Sequence, residues 1–299
     1  MLKFQPFYQP VPWGGRRLAE KFGRNTPEGP VGESWELVEL PERHSTVCEG
    51  PLLGQKLGDL WRMGALGGSA QGMFPFLLKW IDAAQSLSVQ VHPDEAACKK
   101  LGAGRPKTEA WYIIEAAAHA SLLIGHYPGL DAAAMRQAIA GDTLKKWLFD
   151  LQPHPGDIYL LPAGTLHAIG AGFLLLEVQQ PSDTTFRLYD WGRVGADGKP
   201  RQLHIDEAAQ SVAFNRPGPP KVQRKGVDGP CFSLRTLTQG EKIAPGPLRV
   251  LAADHGPLQL HSSTGDLQLR QGDVVLATAD DGEVEIVAGS AAYFTEPLG

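Results

Sequence analysis

Apolar and polar residues alternate with a period of two along short segments, and glycine and proline set these segments apart. That is the signature of half-buried β-strands in a sandwich or barrel. The segments are "SWELVEL" (34–40), "SLSVQVH" (86–92), "AWYIIEA" (110–116), "DIYLLPA" (157–163), "FLLLEVQQ" (173–180) and "TTFRLYDW" (184–191). In "SLSVQVH" the alternation puts Gln90 and His92 on one face and Val89 and Val91 on the other. Two metal-capable groups thus stand side by side just before Pro93.

Helical signals are confined to three places. "DEAACKKLG" opens with acids and ends with lysines before Gly102, as a short helix should. "LDAAAMRQAIAGDTLKKWLFDL" (130–151) reads as one or two helices broken near Gly141, and "HIDEAAQSVAFN" (204–215) as another. The proline-rich, basic stretch "RPGPPKVQRKG" (216–226) divides the chain. The expectation is a domain over 1–216 with a small helical insertion at about 128–151, and a smaller C-terminal β-domain over 217–299 without metal ligands. A loose echo links "PGDIYLLPAGTLHAI" to "QGDVVLATADDGEVEI": each is a Gly-Asp turn feeding an apolar strand. The second copy lacks the histidine and the proline, so only the first is metal-competent.

At 299 residues the chain can bury a large core. Its net charge of -5, with no basic block, gives no electrostatic reason to expect nucleic acid or an anionic membrane. No apolar run approaches the ~20 residues of a spanning helix, and "MLKFQPFYQPVPWGG" lacks the apolar core of a signal peptide. Cys48, Cys98 and Cys231 are few and far apart, which suits a reducing cytoplasm and argues against a thiolate metal site.

The candidate chemistry centres on "PGDIYLLPAGTLHAIGAG". The spacing of Gly156, Pro162 and His167 is that of the second half of the cupin signature, although Ala171 replaces its usual final asparagine. The first half normally supplies a His-x-His pair and a nearby Glu; here the pair is Gln90-x-His92 and the acid is Glu109. A mainly β, cupin-type barrel or jelly roll would gather Gln90, His92, Glu109 and His167 around one metal. Two imidazoles, a carboxylate and an amide oxygen suit Zn²⁺. Taken singly, Gln90 and Glu109 read as ordinary polar residues, the latter an exposed ion-pair partner of Lys107; the combined spacing outweighs that.

The motifs "PVPWGGRRL" (10–18), "VGESWELVELPERHSTVCEGPLLGQKLGDL" (31–60), "FPFLLKWIDAAQSLSVQVHPDE" (74–95), "PKTEAWYII" (106–114) and "LPAGTLHAIGAGFLLLEVQQPSDTTFRLYDWGR" (161–193) cover most of the chain. In these the chain resembles type I mannose-6-phosphate isomerase (phosphomannose isomerase), in its short bacterial form. The resemblance implies one zinc per chain held by Gln90, His92, Glu109 and His167. It also implies a catalytic Arg187, a nearby acid Asp183, an active-site lysine Lys107, and Lys79 and Ser88 in the segments lining the sugar-phosphate pocket. The interval between Glu109 and His167 is too short for the larger helical domain of the long forms.

Interconverting an aldose and a ketose moves a proton between C2 and C1 through an enediolate. Arg187 keeps its proton, so it is cast as an electrostatic stabiliser. Lys107 is either the proton carrier or a phosphate ligand, Asp183 an aid to ring opening, and Lys79 a source of charge for the phosphate. Without the resemblance, Arg187 reads as a structural arginine paired with Asp190 or Asp183. The competing functions are a different cupin enzyme, such as another sugar isomerase or a metal dioxygenase, and a non-catalytic sugar-binding or regulatory cupin.

Overall fold

The computed structural model describes residues 1–66, 72–194, 198–246 and 248–297. Its spine is a seven-stranded antiparallel sheet in the order Phe7–Gln9, Glu33–Leu37, Leu77–Ala83, Phe173–Gln179, Glu109–Ala116, Ile158–Leu161, Val222–Gln223. Both faces of this large sheet are covered, which is why its central strands are apolar almost throughout. From Phe173–Gln179, Leu174, Leu176 and Val178 enter the core shared with C-terminal residues such as Phe232, Val250 and Phe294. Phe173 and Leu175 enter a second core on the opposite face, with Ile81, Trp111 and Ile113.

That second face is covered by a five-stranded sheet in the order Phe186–Tyr189, Val89–Val91, His167–Ile169, Leu122–His126, Leu148–Leu151. The two sheets form the mainly β sandwich expected from the alternation, of the cupin type expected from the Gly156–Pro162–His167 spacing. Behind the second sheet, Val89, Val91, Leu123 and Leu188 pack with Met135 and Ala208 of two short helices. Strand pleating therefore sends the valines outward to the helices and turns Gln90 and His92 inward, toward the large sheet.

The helical expectations held in part. Asp94 caps the helix Glu95–Leu101 by accepting from Ala97 N at 2.8 Å, and Gly102 ends it in the left-handed region. The 130–151 segment requires correction. Its helix spans only Ala132–Ala140, and a 3-10 turn follows at Leu144–Trp147. The remainder, Leu148–Leu151, is an edge strand paired with Leu122–His126. Asp142, at φ 55°, stops the helix, and the exposed sheet edge then satisfies the backbone of "LFDL".

After Gly226 two further sheets follow, of five and four strands, with an apolar layer between them that includes Leu251, Leu260, Val275 and Ile286. The N-terminus reaches this region: Leu2 bridges Leu276, and the Met1 amine meets Asp281 at 2.9 Å.

The echo between the two Gly-Asp turns is structural. Gly156 and Gly272 adopt φ of 92° and 88°. In each, the following Asp accepts from the backbone three residues earlier, Asp157 from His154 N at 2.8 Å and Asp273 from Arg270 N at 3.1 Å. The strands after these turns pair alike: Leu161 lies opposite Glu109, and Ala277 lies opposite Arg249. A buried arginine thus stands in the C-terminal sheets where the first sandwich has a buried glutamate, and it donates to the carbonyls of Thr278 and Gly282.

Candidate active site

Residues facing each other across an antiparallel ladder point to the same side. In the second sheet Arg187 pairs with Gln90, and Gln90 pairs with His167, so the three form one row facing the large sheet. His92 is two residues further along the same strand face. On the large sheet, Lys79 pairs with Glu177 and Glu177 with Trp111, a row on the face that also carries Glu109. The site is the space between these two rows.

His92, Glu109 and His167 present ligand atoms within 4.8 Å of one another, and all three are buried. Glu109 Oε2 is 3.3 Å from His92 Nε2, and Oε1 is 3.4 Å from His167 Nε2. Both imidazoles are oriented by the other nitrogen. His92 Nδ1 donates to Thr184 O and His167 Nδ1 to Thr165 O, each at 2.9 Å. A carbonyl accepts only, so both rings carry their proton on Nδ1 and turn an Nε2 lone pair into the site. Burial, aided by the Lys107 ammonium, pulls the His92 imidazole down to about 3, and burial likewise lowers His167. For Glu109, burial would raise the carboxyl, but Lys107 and the two imidazoles outweigh it and hold it well below its usual range. The three groups are thus in the protonation states that a metal requires.

Gln90 completes the cluster from the side. Its amide nitrogen lies 3.2 Å from His167 Nε2, and its oxygen receives the Ser88 hydroxyl at 3.4 Å. Turning the amide about its last bond presents the oxygen to the same point. Ser88, itself buried, therefore touches the ligand cluster through Gln90.

Lys107 is buried against this cluster, with Nζ 2.8 Å from Glu109 Oε2, 3.0 Å from His92 Nε2 and 3.8 Å from Glu177 Oε1. By distance it is an ion pair with Glu109, yet neither Glu109 oxygen receives a well-directed hydrogen bond from the described residues. Lys79 is engaged by Glu177 at 3.0 Å and Glu33 at 3.7 Å, and it lies over the Trp35 ring. Asp183 is exposed and lines a cavity of about 500 Å³ with Trp35, Arg43, Arg105 and Thr184. Because Thr184 also orients His92, this cavity adjoins the cluster. Arg187 makes no ion pair with Asp183 or Asp190 among the described residues. Asp190 is taken instead by Arg201, at 2.5 and 2.7 Å, and by Arg193 at 3.5 Å. The structural alternative for Arg187 thus lacks its partner.

The sequence reading passed over Glu177. Its carboxyl is buried between Lys79 and Lys107 and accepts from Trp111 Nε1 at 2.9 Å. Burial, with Glu109 nearby, raises it above its usual range. The signal was present: Glu177 is a lone charge in the middle of the otherwise apolar "FLLLEV". His255 and His261 lie elsewhere, one against Tyr112 and the other paired with Asp266.

Comparison with known proteins agrees with this geometry. The chain is 33% identical to the mannose-6-phosphate isomerase of Streptococcus mutans, over 92% of the chain and 93% of that protein. It is 34% identical to a putative mannose-6-phosphate isomerase of Bacillus subtilis, over 79% of the chain and 75% of the relative. The chain belongs to the type I phosphomannose isomerase family. The family profile "Phosphomannose isomerase type I, catalytic domain" matches residues 1–115, the part that carries Gln90, His92, Lys107 and Glu109. The crystal structure of the mannose 6-phosphate isomerase from Bacillus subtilis superposes with a TM-score of 0.88 at 28% identity, covering 99% of both chains. The phosphomannose isomerase of Salmonella typhimurium shares the fold, with a TM-score of 0.76 at 19% identity. In this phosphomannose isomerase family member, His167, Glu177 and Arg187 come from strands beyond the matched profile and complete the same cleft.

Proposed function

We propose that the protein interconverts mannose 6-phosphate and fructose 6-phosphate, through an enediolate, with one zinc ion held by Gln90, His92, Glu109 and His167. The observation that carries this is the buried Glu109 carboxylate, with no well-directed hydrogen bond from the described residues, facing two Nε2 lone pairs set by backbone carbonyls. A buried carboxylate in that state fits a divalent cation. A bound zinc would supply Lewis acidity toward the sugar oxygens.

The remaining steps are assigned to the chain. Arg187 presents a permanent charge from the same row as Gln90 and His167 and steadies the enediolate oxygen. Lys107 and Glu177, 3.8 Å apart, form the buried pair that moves the proton between C2 and C1. Lys79 holds Glu177 in place through its ion pair, so we assign it this role in preference to the phosphate. Ser88 orients Gln90, and Asp183 stands at the mouth of the adjoining cavity, where it aids ring opening. No helix among the described residues is long and apolar enough to cross a membrane, and three free cysteines suit our assignment to the cytoplasm.

The test is metal analysis of the purified protein together with a coupled assay on mannose 6-phosphate and fructose 6-phosphate. About one zinc per chain and reversible turnover are expected. Full turnover by chelated, metal-free protein, or no turnover of either sugar by the zinc-loaded form, overturns the reading.

A further inference from the structure

Arg187 is held at three points by two residues of one short segment. Its backbone N–H donates to His204 Nδ1 at 3.3 Å, and its carbonyl accepts from His204 N at 2.8 Å. Its guanidinium donates to the carbonyl of Gln202 at 3.1 Å. The segment 201–204 belongs to no helix or strand, so no ladder of backbone hydrogen bonds fixes it. Arg201 anchors it. Its guanidinium grips Asp190 in a two-pronged pair, Nε to Oδ2 at 2.7 Å and Nη2 to Oδ1 at 2.5 Å. Such planar fork-to-fork contact fixes direction as well as distance. Asp190 is itself buried and lies three residues past Arg187 on the chain. The contacts close a ring: Arg187, Asp190, Arg201, Gln202 with His204, and back to Arg187.

Charge makes the ring matter for chemistry. Arg187, Arg193 and Arg201 surround the single carboxylate of Asp190, and Arg187 feels the fields of all three neighbours. A buried carboxylate attracts whichever guanidinium reaches it. Because Arg201 occupies both oxygens, the Arg187 guanidinium is not drawn off toward Asp190, and its buried Nε has no hydrogen-bond partner among the described residues.

We propose that Asp190 and Arg201 are positioning residues for Arg187: their pair anchors the 201–204 segment and keeps the Arg187 guanidinium directed at the metal face. The proposal rests on the catalytic reading of Arg187 given above and names the groups that make that reading possible.

The test is a double-mutant cycle on the zinc-loaded enzyme with Arg201→Met, Arg187→Met and the pair, reading kcat, KM, bound zinc and melting temperature. Arg201→Met is expected to lower kcat at least ~10-fold, because a misplaced group about 1 Å from its working position costs up to 10²-fold. Bound zinc should be unchanged, and Arg201→Met should cause no further loss in the Arg187→Met background. Arg201→Lys, which keeps charge without the fork, should fall between wild type and Arg201→Met. Should Arg201→Met fold poorly, Asp190→Asn loosens the same anchor and should show the same dependence on Arg187. An unchanged kcat per folded molecule, or a loss that adds fully to that of Arg187→Met, overturns the proposal. The earlier reading fails differently: Arg187→Met would itself leave kcat intact, or the wild-type enzyme would not turn over either sugar phosphate.

Discussion

Arg187 lies directly opposite Gln90 in the ladder between Phe186–Tyr189 and Val89–Val91, and so shares the face of the candidate metal-ligand cluster. Its charge is placed by backbone register, and no acid within ion-pair distance among the described residues neutralises it. If that charge steadies the enediolate, Arg187→Lys should lower kcat by about 10²-fold, the usual effect of losing one oriented donor in a transition state. KM should change less, since the ground-state sugar has no charge there. Zinc content should match wild type. A variant with normal kcat and a lower melting temperature would return Arg187 to a structural role.

Removing a ligand should act on the metal. His167→Ala is expected to reduce bound zinc well below one per chain and to abolish turnover, while the fold persists because the neighbouring cores remain intact. Elemental analysis and circular dichroism on the same sample check both halves of the statement. Full zinc occupancy in this variant would remove His167 from the ligand set.

Acid should destabilise the metal-free protein through its buried imidazoles. The unfolded chain protonates His92 near pH 6.5, whereas the folded chain holds it neutral down to about 3. Stability from this group is therefore complete above about 6.5 and falls as pH drops through the window toward 3. The slope is at most about 1.4 kcal/mol per pH unit for one proton. Urea midpoints of chelated protein between pH 7 and pH 4 (roughly the accessible part of that window) should fall less steeply for His92→Gln than for wild type. Parallel curves for the two proteins would count against the assignment.

Glu177→Gln should separate proton handling from metal binding. The amide keeps the size of the side chain but cannot accept a proton, so kcat should drop about 10²-fold or more. Zinc should stay, because Glu177 is not in the ligand cluster. Solvent-proton exchange into the substrate should fall together with kcat. Exchange at the wild-type rate would assign the proton to Lys107 alone.

Arg249 offers the contrasting case of a buried charge with a purely structural role. Arg249→Met takes the guanidinium donors from the carbonyls of Gly282 and Thr278, the latter keeping only Asp281 N at 3.2 Å. An acceptor left unsatisfied costs about 1–3 kcal/mol. The melting temperature should fall by several degrees, with zinc content and kcat per folded molecule unchanged. A loss of zinc would tie the C-terminal sheets to the metal site.

The sequence by itself determined the strands and the face that carries the candidate metal ligands. A period of two in "SLSVQVH" is enough to place Gln90 and His92 together, because pleating admits only two sides. The Gly156–Pro162–His167 spacing marks a turn, a strand and a corner, all local features, and the structure brings His167 opposite Gln90. Tertiary structure decided what depends on long-range register and burial. Nothing local tells "WLFDL" that a sheet edge awaits it, so a helical continuation looked equally good until Leu122–His126 claimed its backbone. Nor does local sequence reveal that Asp190 prefers Arg201 to Arg187, since that choice depends on which guanidinium the folded chain brings within reach. Glu177 is the clearest example. Its strand is legible as apolar and β, but its lysine partners come from a neighbouring strand (Lys79) and from the loop before Glu109–Ala116 (Lys107), and only the folded sheet sets Lys79 beside it and Lys107 within reach. Alternation is imposed residue by residue along the backbone. The charge environment of a buried side chain is imposed by strands far apart in sequence, and it exists only once the sheets have packed.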